Sequence, residues 1–426
     1  MSPIFPLHIL LKYLQINSHY EQLNKSILYV HEVILERRKM IISTIEIIRL
    51  AIPFSSGRHE GNNIGNDVYN AASPALKRME TLLVRITTDD GIHGWGEGFG
   101  HLCNPVTFSA LQGIVGNFFL GKEIGDSPND IQALIMEADK ALHAFGRSGP
   151  IVYALSAIDI ALWDIVAKRH NMPLYRFLGS NRSQIGVYAS LVSYSEPTLA
   201  VTNALRASQA GFKAIKLHET VYETIAAVRD ALPQDIELMV DVNCPWNVGE
   251  AVENAQALRE LSLTWLEEPV YPPDNITGLA QVKAVGVPIA AGENANGVQG
   301  FVQHFIADAI SVAQPSVAKV GGISAALQII KLADDYKIKV VPHCFYYGAG
   351  LMATAHLVAT LPENISLEVP YIQWTDNLYP QLAFSPYMQL PDLPGLGFEP
   401  DSALINKYCI ARATLRLSEE VAHVKA

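Results

Sequence analysis

The feature that most constrains the fold is a pattern that repeats through the second half of the chain. Short runs rich in apolar and β-branched residues end in a polar or charged residue, and a loop and an amphipathic segment follow. The runs KAIKLH, IELMVD, LTWLEE, VPIAAGE, AISVAQPS, IKVVPH and ISLE carry the terminal polar residues Lys216, Asp241, Glu267, Glu293, Ser316, His343 and Glu368. By subtraction, these residues are separated by 25, 26, 26, 23, 27 and 25 positions.

This regular spacing predicts a parallel β/α barrel, because strands that alternate with helices build a parallel sheet. A further run, VYASLV at residues 187–192, lies about one interval upstream and completes a set of eight strands. The segment VPYIQWTDNLYP, which follows Glu368, lacks helical periodicity. The last helix is therefore expected to be missing, which predicts a (β/α)7β barrel, a modified TIM barrel.

The chain before the barrel has a different pattern, typical of an α+β domain. IISTIEIIRL and TLLVRITT are predicted strands, Asp89-Asp90-Gly91 is a turn, and IHGWGEG is the returning strand. Helical segments follow and end at Pro173. The tail, with PGLGFEP and RATLRLS, is expected to return to this domain. The predicted domains are residues 40–165 and the tail 386–426 for the α+β part, and residues 166–385 for the barrel.

The first 39 residues differ in character from the rest of the chain. Glu36-Arg37-Arg38-Lys39 permits the codons GAG-AGG-AGG-AAA, a purine-rich sequence that resembles a ribosome-binding site directly before an ATG. We therefore expect Met40 to be the natural start and residues 1–39 to be a non-native leader. A genuine helical extension is the alternative, and mass spectrometry of the native protein distinguishes the two.

Composition narrows the range of partners. The chain has 31 Lys and Arg against 42 Asp and Glu, and its net charge of -11 argues against a nucleic-acid-binding surface. The cysteines form no CxxC pair, which suits the reducing cytoplasm, where we expect this protein. No apolar run approaches the roughly 20 residues that span a bilayer, so we expect no membrane partner.

Three of the terminal residues predict a metal site. Asp241, Glu267 and Glu293 end three successive strands, and the active site of such a barrel lies at the carboxyl ends of its strands. Three carboxylates without a counterion would repel one another, and a divalent cation resolves this repulsion. Oxygen ligands favour Mg²⁺, with Mn²⁺ as the alternative. The competing interpretation is that these acids cap helices or pair with surface lysines.

Other residues flank this predicted metal. Lys216 and His218 are two apart on a strand and therefore face the same side. His218 and His343 lie on opposite sides of the metal and can each take or give a proton near pH 7. Glu368 as a neutral acid would donate a hydrogen bond to an enolate oxygen, or would be a structural carboxylate. Together these groups suit removal of a proton next to a carboxylate, because the metal, Lys216 and a hydrogen-bond donor stabilise the enolate.

From about Ile41 onward the chain resembles the mandelate racemase/muconate lactonizing group of the enolase superfamily. The motifs MVDVNCPW, WLEEPV, AAGEN and KVGGIS carry the resemblance, together with the linker helix ALSAIDIALWDIVAKRHNMPLYRFLG and the tail PGLGFEPD. The resemblance implies that Asp241, Glu267 and Glu293 bind Mg²⁺, and a Lys or His base beside Mg²⁺ is known in this superfamily. It also implies a capping domain whose loops near residues 55–65 and 98–101 set substrate choice, and a homo-oligomer between dimer and octamer.

The chain departs from the pattern of this family at two strands. The usual KxK of the second strand is Lys216-x-His218 here, which makes His218 the base on that face and leaves Lys216 to help hold the substrate carboxylate. The mandelate racemase branch pairs its seventh-strand histidine with a sixth-strand aspartate, and Ser316 stands at that place. Ser316 also excludes the lysine of the muconate-lactonizing branch, while Lys319 aligns with a lysine near the GG turn. His343 therefore lacks a carboxylate partner and is expected to serve better as a general acid.

These residues favour a dehydratase that acts on a small carboxylate substrate, a sugar acid. His218 would take the α-proton and His343 would protonate the departing β-hydroxyl, which yields a 2-keto-3-deoxy acid. A racemase, an epimerase or a lactone cycloisomerase that uses the same enolate is the alternative. A metal-binding barrel without catalysis is a third interpretation, which the complete ligand set and the two histidines disfavour.

Overall fold

A computed structural model describes residues 40–58, 67–68, 75–76, 78–379 and 385–417. The leader predicted at residues 1–39 lies outside the described residues, as does most of the predicted loop at residues 55–65. The boundaries predicted between the α+β domain and the barrel stay predictions.

An antiparallel sheet around the long strand Met40–Ser55 forms the α+β part. This strand pairs on one side with Arg78–Thr88 and on the other with the tail strand Cys409–Arg416. Arg78–Thr88 pairs in turn with His93–Gly98, and the turn between them lies at residues 89–91. The remaining strands of this part are short. They are Glu123–Ile124, Gln373–Trp374 and the separate pair Asp67–Val68 and Ala75–Leu76. The predicted strands, turn and returning tail are confirmed.

The glycines of the GWGEG segment let a strand lie directly on a helix. A Cβ atom at Gly96 would lie 1.8 Å from the carbonyl oxygen of Ala157, and one at Gly94 would lie 2.3 Å from that of Ala161. Both carbonyls belong to the helix Pro150–Arg169. This helix is long and apolar enough to cross a membrane, but 83% of its apolar window is buried inside the protein. It is therefore a core helix against which the sheet packs.

Eight short parallel strands form the barrel, in the order of the sequence. They are Gln184–Ser190, Ala214–Leu217, Glu237–Asp241, Trp265–Glu267, Ile289–Ala291, Val312–Ala313, Lys339–Val340 and Ser366–Pro370. Each of the first six strands pairs with the strand after it, and the eighth pairs with the first. Between the seventh and eighth strands, the backbone N–H of Cys344 donates to Glu368 Oε2 at 2.9 Å. All eight predicted strands are present.

One helix follows each of the first seven barrel strands: Pro197–Gln209, Tyr222–Ala231, Val248–Leu258, Ile276–Lys283, Gly297–Ile306, Gly322–Tyr336 and Ala349–Val358. After the eighth strand the chain forms Gln373–Trp374, which pairs with the end of Met40–Ser55. The (β/α)7β barrel is therefore confirmed. Among the described residues, the other α- and π-helical segments are Asn104–Ala110, Leu111–Val115, Gly116–Phe119, Pro128–Leu142, Pro150–Arg169, Leu174–Phe177 and Ser402–Tyr408.

The strand ends differ in detail from those predicted. Asp241 and Glu267 are the last residues of their strands, as expected. Glu293, Ser316 and His343 lie two or three residues beyond the last paired residue, because the fifth to seventh strands are short. Glu368 does not end its strand but lies in the middle of Ser366–Pro370, which continues alongside the first strand.

Two loops of the α+β part rest on the mouth of the barrel. The backbone N–H of Phe99 donates to the carbonyl of Ala318, 2.8 Å away, in the loop after the sixth strand. Arg58 Nη2 donates at 2.8 Å to the carbonyl of Ser193, which follows the first strand. The α+β part therefore reaches both sides of the carboxyl ends of the strands.

Candidate active site

Lys216 lies at the centre of the mouth, among three carboxylates. Its Nζ is 2.7 Å from Glu267 Oε1, 2.8 Å from Glu368 Oε1 and 3.4 Å from Asp241 Oδ2. All four side chains are buried. Burial opposes the charged ammonium, but the charges of Glu267 and Glu368 outweigh it and raise the pKa of Lys216 well above its usual value. The barrel thus keeps Lys216 positively charged.

His218, one residue after the second strand, contacts the same carboxylate as Lys216. Its Nε2 is 3.2 Å from Asp241 Oδ2, so the two side chains do face one way. Its Nδ1 hydrogen-bonds the backbone carbonyl of Leu191. Because a carbonyl only accepts hydrogen bonds, Nδ1 carries a hydrogen, and Nε2 is the ring nitrogen that faces the mouth.

His343 lies on the opposite side, against Glu293. Its Nε2 is 2.7 Å from Glu293 Oε2, and its Nδ1 is 2.9 Å from Ser316 Oγ. Asn294 Nδ2 donates to the other oxygen of Glu293 at 3.1 Å, and Lys319 Nζ donates to Asn294 Oδ1 at 2.8 Å. Burial raises the pKa of the Glu293 carboxyl, but His343 and Lys319 outweigh burial and bring this pKa well below its usual value. Glu293 is therefore ionised.

Glu267 is held from two further directions. Trp265 Nε1 donates to its Oε2 at 2.9 Å and Gln314 Nε2 donates to the same atom at 2.7 Å. Burial and the negative charge of Asp241 nevertheless raise the pKa of Glu267 well above its usual value. Two donors and a lysine do not fully offset the crowding of negative charge at this carboxyl group.

A divalent cation fits the charges of this mouth. Five carboxyl groups interact there, those of Asp241, Glu267, Glu268, Glu293 and Glu368, and they outnumber the ammonium groups of Lys216 and Lys319. Their oxygens are the donors that Mg²⁺ prefers. Among the described residues, no three His, Cys, Asp or Glu side chains are already gathered as a metal cluster. In this arrangement Lys216 contacts Asp241 and Glu267, while His343 contacts Glu293.

Two side chains near the mouth, those of Gln314 and Tyr346, were not predicted from the sequence. Gln314, on Glu267, lies two residues before Ser316, and the alternation of a strand could have identified it. The hydroxyl of Tyr346 hydrogen-bonds Ser316 Oγ, and the irregular segment around Tyr346 offered no periodic signal.

His101 had been predicted only as part of the loop at residues 98–101. Burial and the charges of His343 and Lys319 lower its pKa to about 4, which keeps it neutral.

A cavity of about 500 Å³ lies between the segment that ends at Gly57 and the chain after the eighth strand, including Tyr371 and Trp374. None of the predicted site residues lines it. The concentration of charge at the strand ends, rather than cavity volume, identifies the candidate active site.

Comparison with known proteins agrees with this geometry. Residues 68–179 match the family described as "Mandelate racemase / muconate lactonizing enzyme, N-terminal domain", and residues 200–404 match "Enolase C-terminal domain-like". The chain is 31% identical over 354 residues to D-galactarolactone cycloisomerase of Agrobacterium fabrum, across 78% of this chain and 92% of that protein. The chain belongs to the mandelate racemase/muconate lactonizing family of the enolase superfamily. It is an enzyme, and the predicted resemblance is confirmed.

This family contains more than one reaction. L-talarate/galactarate dehydratase of Salmonella typhimurium is 30% identical over 380 residues, across 85% of this chain and 89% of that protein. Its crystal structure, liganded with Mg and L-lyxarohydroxamate, aligns with a TM-score of 0.75 at 25% identity and covers 89% of this chain and 95% of that one. Similar overall identity to a cycloisomerase and to a dehydratase leaves the choice of reaction to the residues of the site.

Proposed function

We propose that this enzyme uses Mg²⁺ to remove the proton next to the carboxylate of a sugar acid, an aldonate or aldarate, and dehydrates it to a 2-keto-3-deoxy acid. The observation that carries this proposal is the pair of histidines on opposite sides of the carboxylates. His218 Nε2 contacts Asp241 and His343 Nε2 contacts Glu293. Each ring is anchored through its other nitrogen, so each presents Nε2 to the mouth.

Asp241, Glu267 and Glu293 would hold the magnesium ion, since their oxygens are suitable ligands and their charges need a cation. When bound, the metal supplies positive charge that stabilises the developing enolate. The similarity to a solved dehydratase that is liganded with Mg supports this cofactor. The enzyme is accordingly a magnesium-dependent hydro-lyase or isomerase.

His218 is the proposed base. The Cα–H bond breaks as Nε2 takes the proton, and the hydrogen bond from Nδ1 to the Leu191 carbonyl stabilises the imidazolium that forms. Lys216, kept charged by Glu267 and Glu368, lies two residues away and offers its positive charge to the substrate carboxylate. Burial raises the pKa of Glu368, but Lys216 and His343 outweigh burial and lower it, which favours the ionised carboxylate over the neutral acid. Glu368 is therefore proposed to position Lys216.

His343 is the proposed acid. As the enolate collapses, the Cβ–O bond breaks, Nε2 gives its proton to the departing hydroxyl, and water leaves. The resulting enol becomes the 2-keto acid. The partner of Nδ1 is the neutral hydroxyl of Ser316, and a neutral partner does not stabilise the protonated ring as a carboxylate would. This difference favours proton donation by His343 over proton removal.

A lactone cycloisomerase is the second candidate, because D-galactarolactone cycloisomerase is 31% identical to this chain. That reaction begins with the same enolate but releases no water. A racemase or an epimerase would return a proton to Cα instead. The fate of the enolate therefore distinguishes the candidates.

The test is to incubate the purified enzyme and Mg²⁺ with a library of aldonates, aldarates and their lactones in ²H₂O. Dehydration gives 2-keto-3-deoxy acids, cycloisomerisation gives an isomer of the lactone, and racemisation gives deuterium at Cα without loss of water. We expect H218N to abolish exchange at Cα. H304N, which alters a buried histidine on the helix Gly297–Ile306, is the matched control and should retain it. Products of a different class, or none from any acid, contradict dehydration.

The cytoplasmic location and the homo-oligomer between dimer and octamer stay predictions. Light scattering of the purified protein measures the number of subunits.

A further inference from the structure

Three buried side chains form a hydrogen-bonded row behind the mouth. The hydroxyl of Tyr346 hydrogen-bonds Ser316 Oγ, and Ser316 Oγ is 2.9 Å from His343 Nδ1. Ser316, Tyr346 and His343 are 0%, 3% and 5% exposed. The row ends at the mouth, where His343 Nε2 contacts Glu293 Oε2 at 2.7 Å. Tyr346 thus lies two hydrogen bonds away from the nitrogen that faces the substrate.

These hydrogen bonds can follow either protonation state of His343, because the hydroxyls of Ser316 and Tyr346 can each donate and accept. When the ring is protonated, as proton donation requires, Nδ1 donates to Ser316 Oγ. When only Nε2 carries hydrogen, Ser316 donates to Nδ1. Burial raises the pKa of Tyr346 well above its usual value, so the phenol keeps the proton that this row requires.

We propose that Tyr346 is a positioning residue for His343, which acts through Ser316 and takes the place of the carboxylate partner that this chain lacks. The inference rests on the proposed function, because the positioning serves proton donation by His343. A serine hydroxyl alone rotates among three staggered positions. The hydroxyl of Tyr346 fixes Ser316 in the position that points at Nδ1, and this holds the ring of His343 with Nε2 in the mouth.

The ring of Tyr346 is itself fixed by the loop of the α+β part. Phe99 packs edge-on against it with ring centroids 5.9 Å apart, and the ring of His343 lies at 6.0 Å on an edge-on contact. The backbone N–H of Phe99 donates to Ala318, two residues after Ser316. Contacts from two parts of the fold therefore keep the hydroxyl of Tyr346 on Ser316.

A double-mutant cycle on turnover tests this inference. Y346F keeps the ring and its packing but removes the hydroxyl, and S316A removes the link. We expect each to lower kcat by about 10- to 100-fold with little change in KM, by analogy with the hydrogen-bond partners that orient metal-bound histidines. The double variant should be no slower than S316A, because Tyr346 acts through Ser316. Losses that multiply in the double variant contradict this inference.

One further variant separates positioning from packing. Y347F removes the neighbouring buried hydroxyl, which has no hydrogen-bond partner among the described residues, and should retain kcat. Equal losses in Y346F and Y347F overturn the inference. Full kcat in H343N instead overturns the proposed acid, which distinguishes the two failures.

A spectroscopic measurement needs no substrate. Long-range ¹H–¹⁵N spectra of histidine-labelled protein at one pH report which ring nitrogen carries hydrogen, and the H343N variant identifies the signal of His343. We expect one defined His343 signal in the parent protein and a shift of that signal in both Y346F and S316A. A His343 signal that is unchanged in both variants overturns the inference even if no acid in the library is turned over.

Discussion

Lys216 Nζ lies 2.7 Å from Glu267 Oε1, and neither side chain is exposed to solvent. Asp241 and Glu368 contact the same ammonium group, so one lysine compensates three buried acids. Removing one partner of a buried ion pair leaves uncompensated charge, which is costlier than losing a surface pair. The stability of the barrel without metal should therefore depend on this lysine.

We predict that K216M lowers the free energy of unfolding by about 3–5 kcal/mol in the presence of EDTA. The matched control is K213M. Lys213 lies just before the same strand and pairs with Asp235, but its side chain is 71% exposed, so that pair should contribute little. Urea unfolding at pH 7.5 measures both variants. Equal stability of K216M and K213M contradicts the role given to Lys216.

Magnesium should stabilise the folded protein. A ligand that binds only the folded state, at about 100 times its dissociation constant, adds roughly 2.7 kcal/mol to the free energy of unfolding. We expect this response in the parent protein and its loss in D241N and E293Q. E46Q, which removes a carboxylate of the α+β sheet that pairs with Arg85, should respond as the parent does. A full magnesium response in both D241N and E293Q shows that the metal binds elsewhere.

Much of the barrel was predictable because the signals were local and periodic. Asp241 and Glu267 end strands whose apolar runs are unambiguous, and parallel pairing in sequence order brings them together. Glu368 was misplaced by two residues, since nothing in the sequence marks where the eighth strand stops once Val369 and Pro370 extend its pairing with the first strand.

The arrangement around His343 was predictable only in part. The sequence showed that Ser316 replaces an aspartate, but the partner that Ser316 gains lies thirty residues later, in an irregular loop. The path of such a loop depends on tertiary contacts, here those of Phe99 from the α+β part. The local sequence does not predict that contact, so the position of Tyr346 could be identified only from the folded structure.

Gly96 should tolerate no side chain. A Cβ atom there would lie 1.8 Å from the carbonyl oxygen of Ala157, a backbone atom that cannot move without displacing the core helix. We predict that G96A lowers the free energy of unfolding by at least about 3 kcal/mol, the upper range for overpacked sites. G113A is the control, because a Cβ atom at Gly113 would meet nothing within 4 Å. Denaturant unfolding compares the two, and a G96A protein as stable as G113A contradicts the close packing.

Glu97 should make the stability of the protein fall as the pH rises. It is buried, and its Oε2 accepts the backbone N–H groups of Gly348 and Gly350 at 3.1 and 2.8 Å. Burial outweighs these donors and raises the pKa of Glu97 from 4.5 to about 7. The folded protein therefore holds this proton over a range where the unfolded chain releases it, so its stabilising contribution is complete below pH 4.5 and is lost as the pH rises to about 7.

Relative to E97Q, which does not titrate at residue 97, the parent should lose roughly 3 kcal/mol of unfolding free energy between pH 4 and pH 8. E137Q, on the exposed face of the helix Pro128–Leu142, is the control and should follow the parent. A difference between parent and E97Q that is constant with pH contradicts the raised pKa.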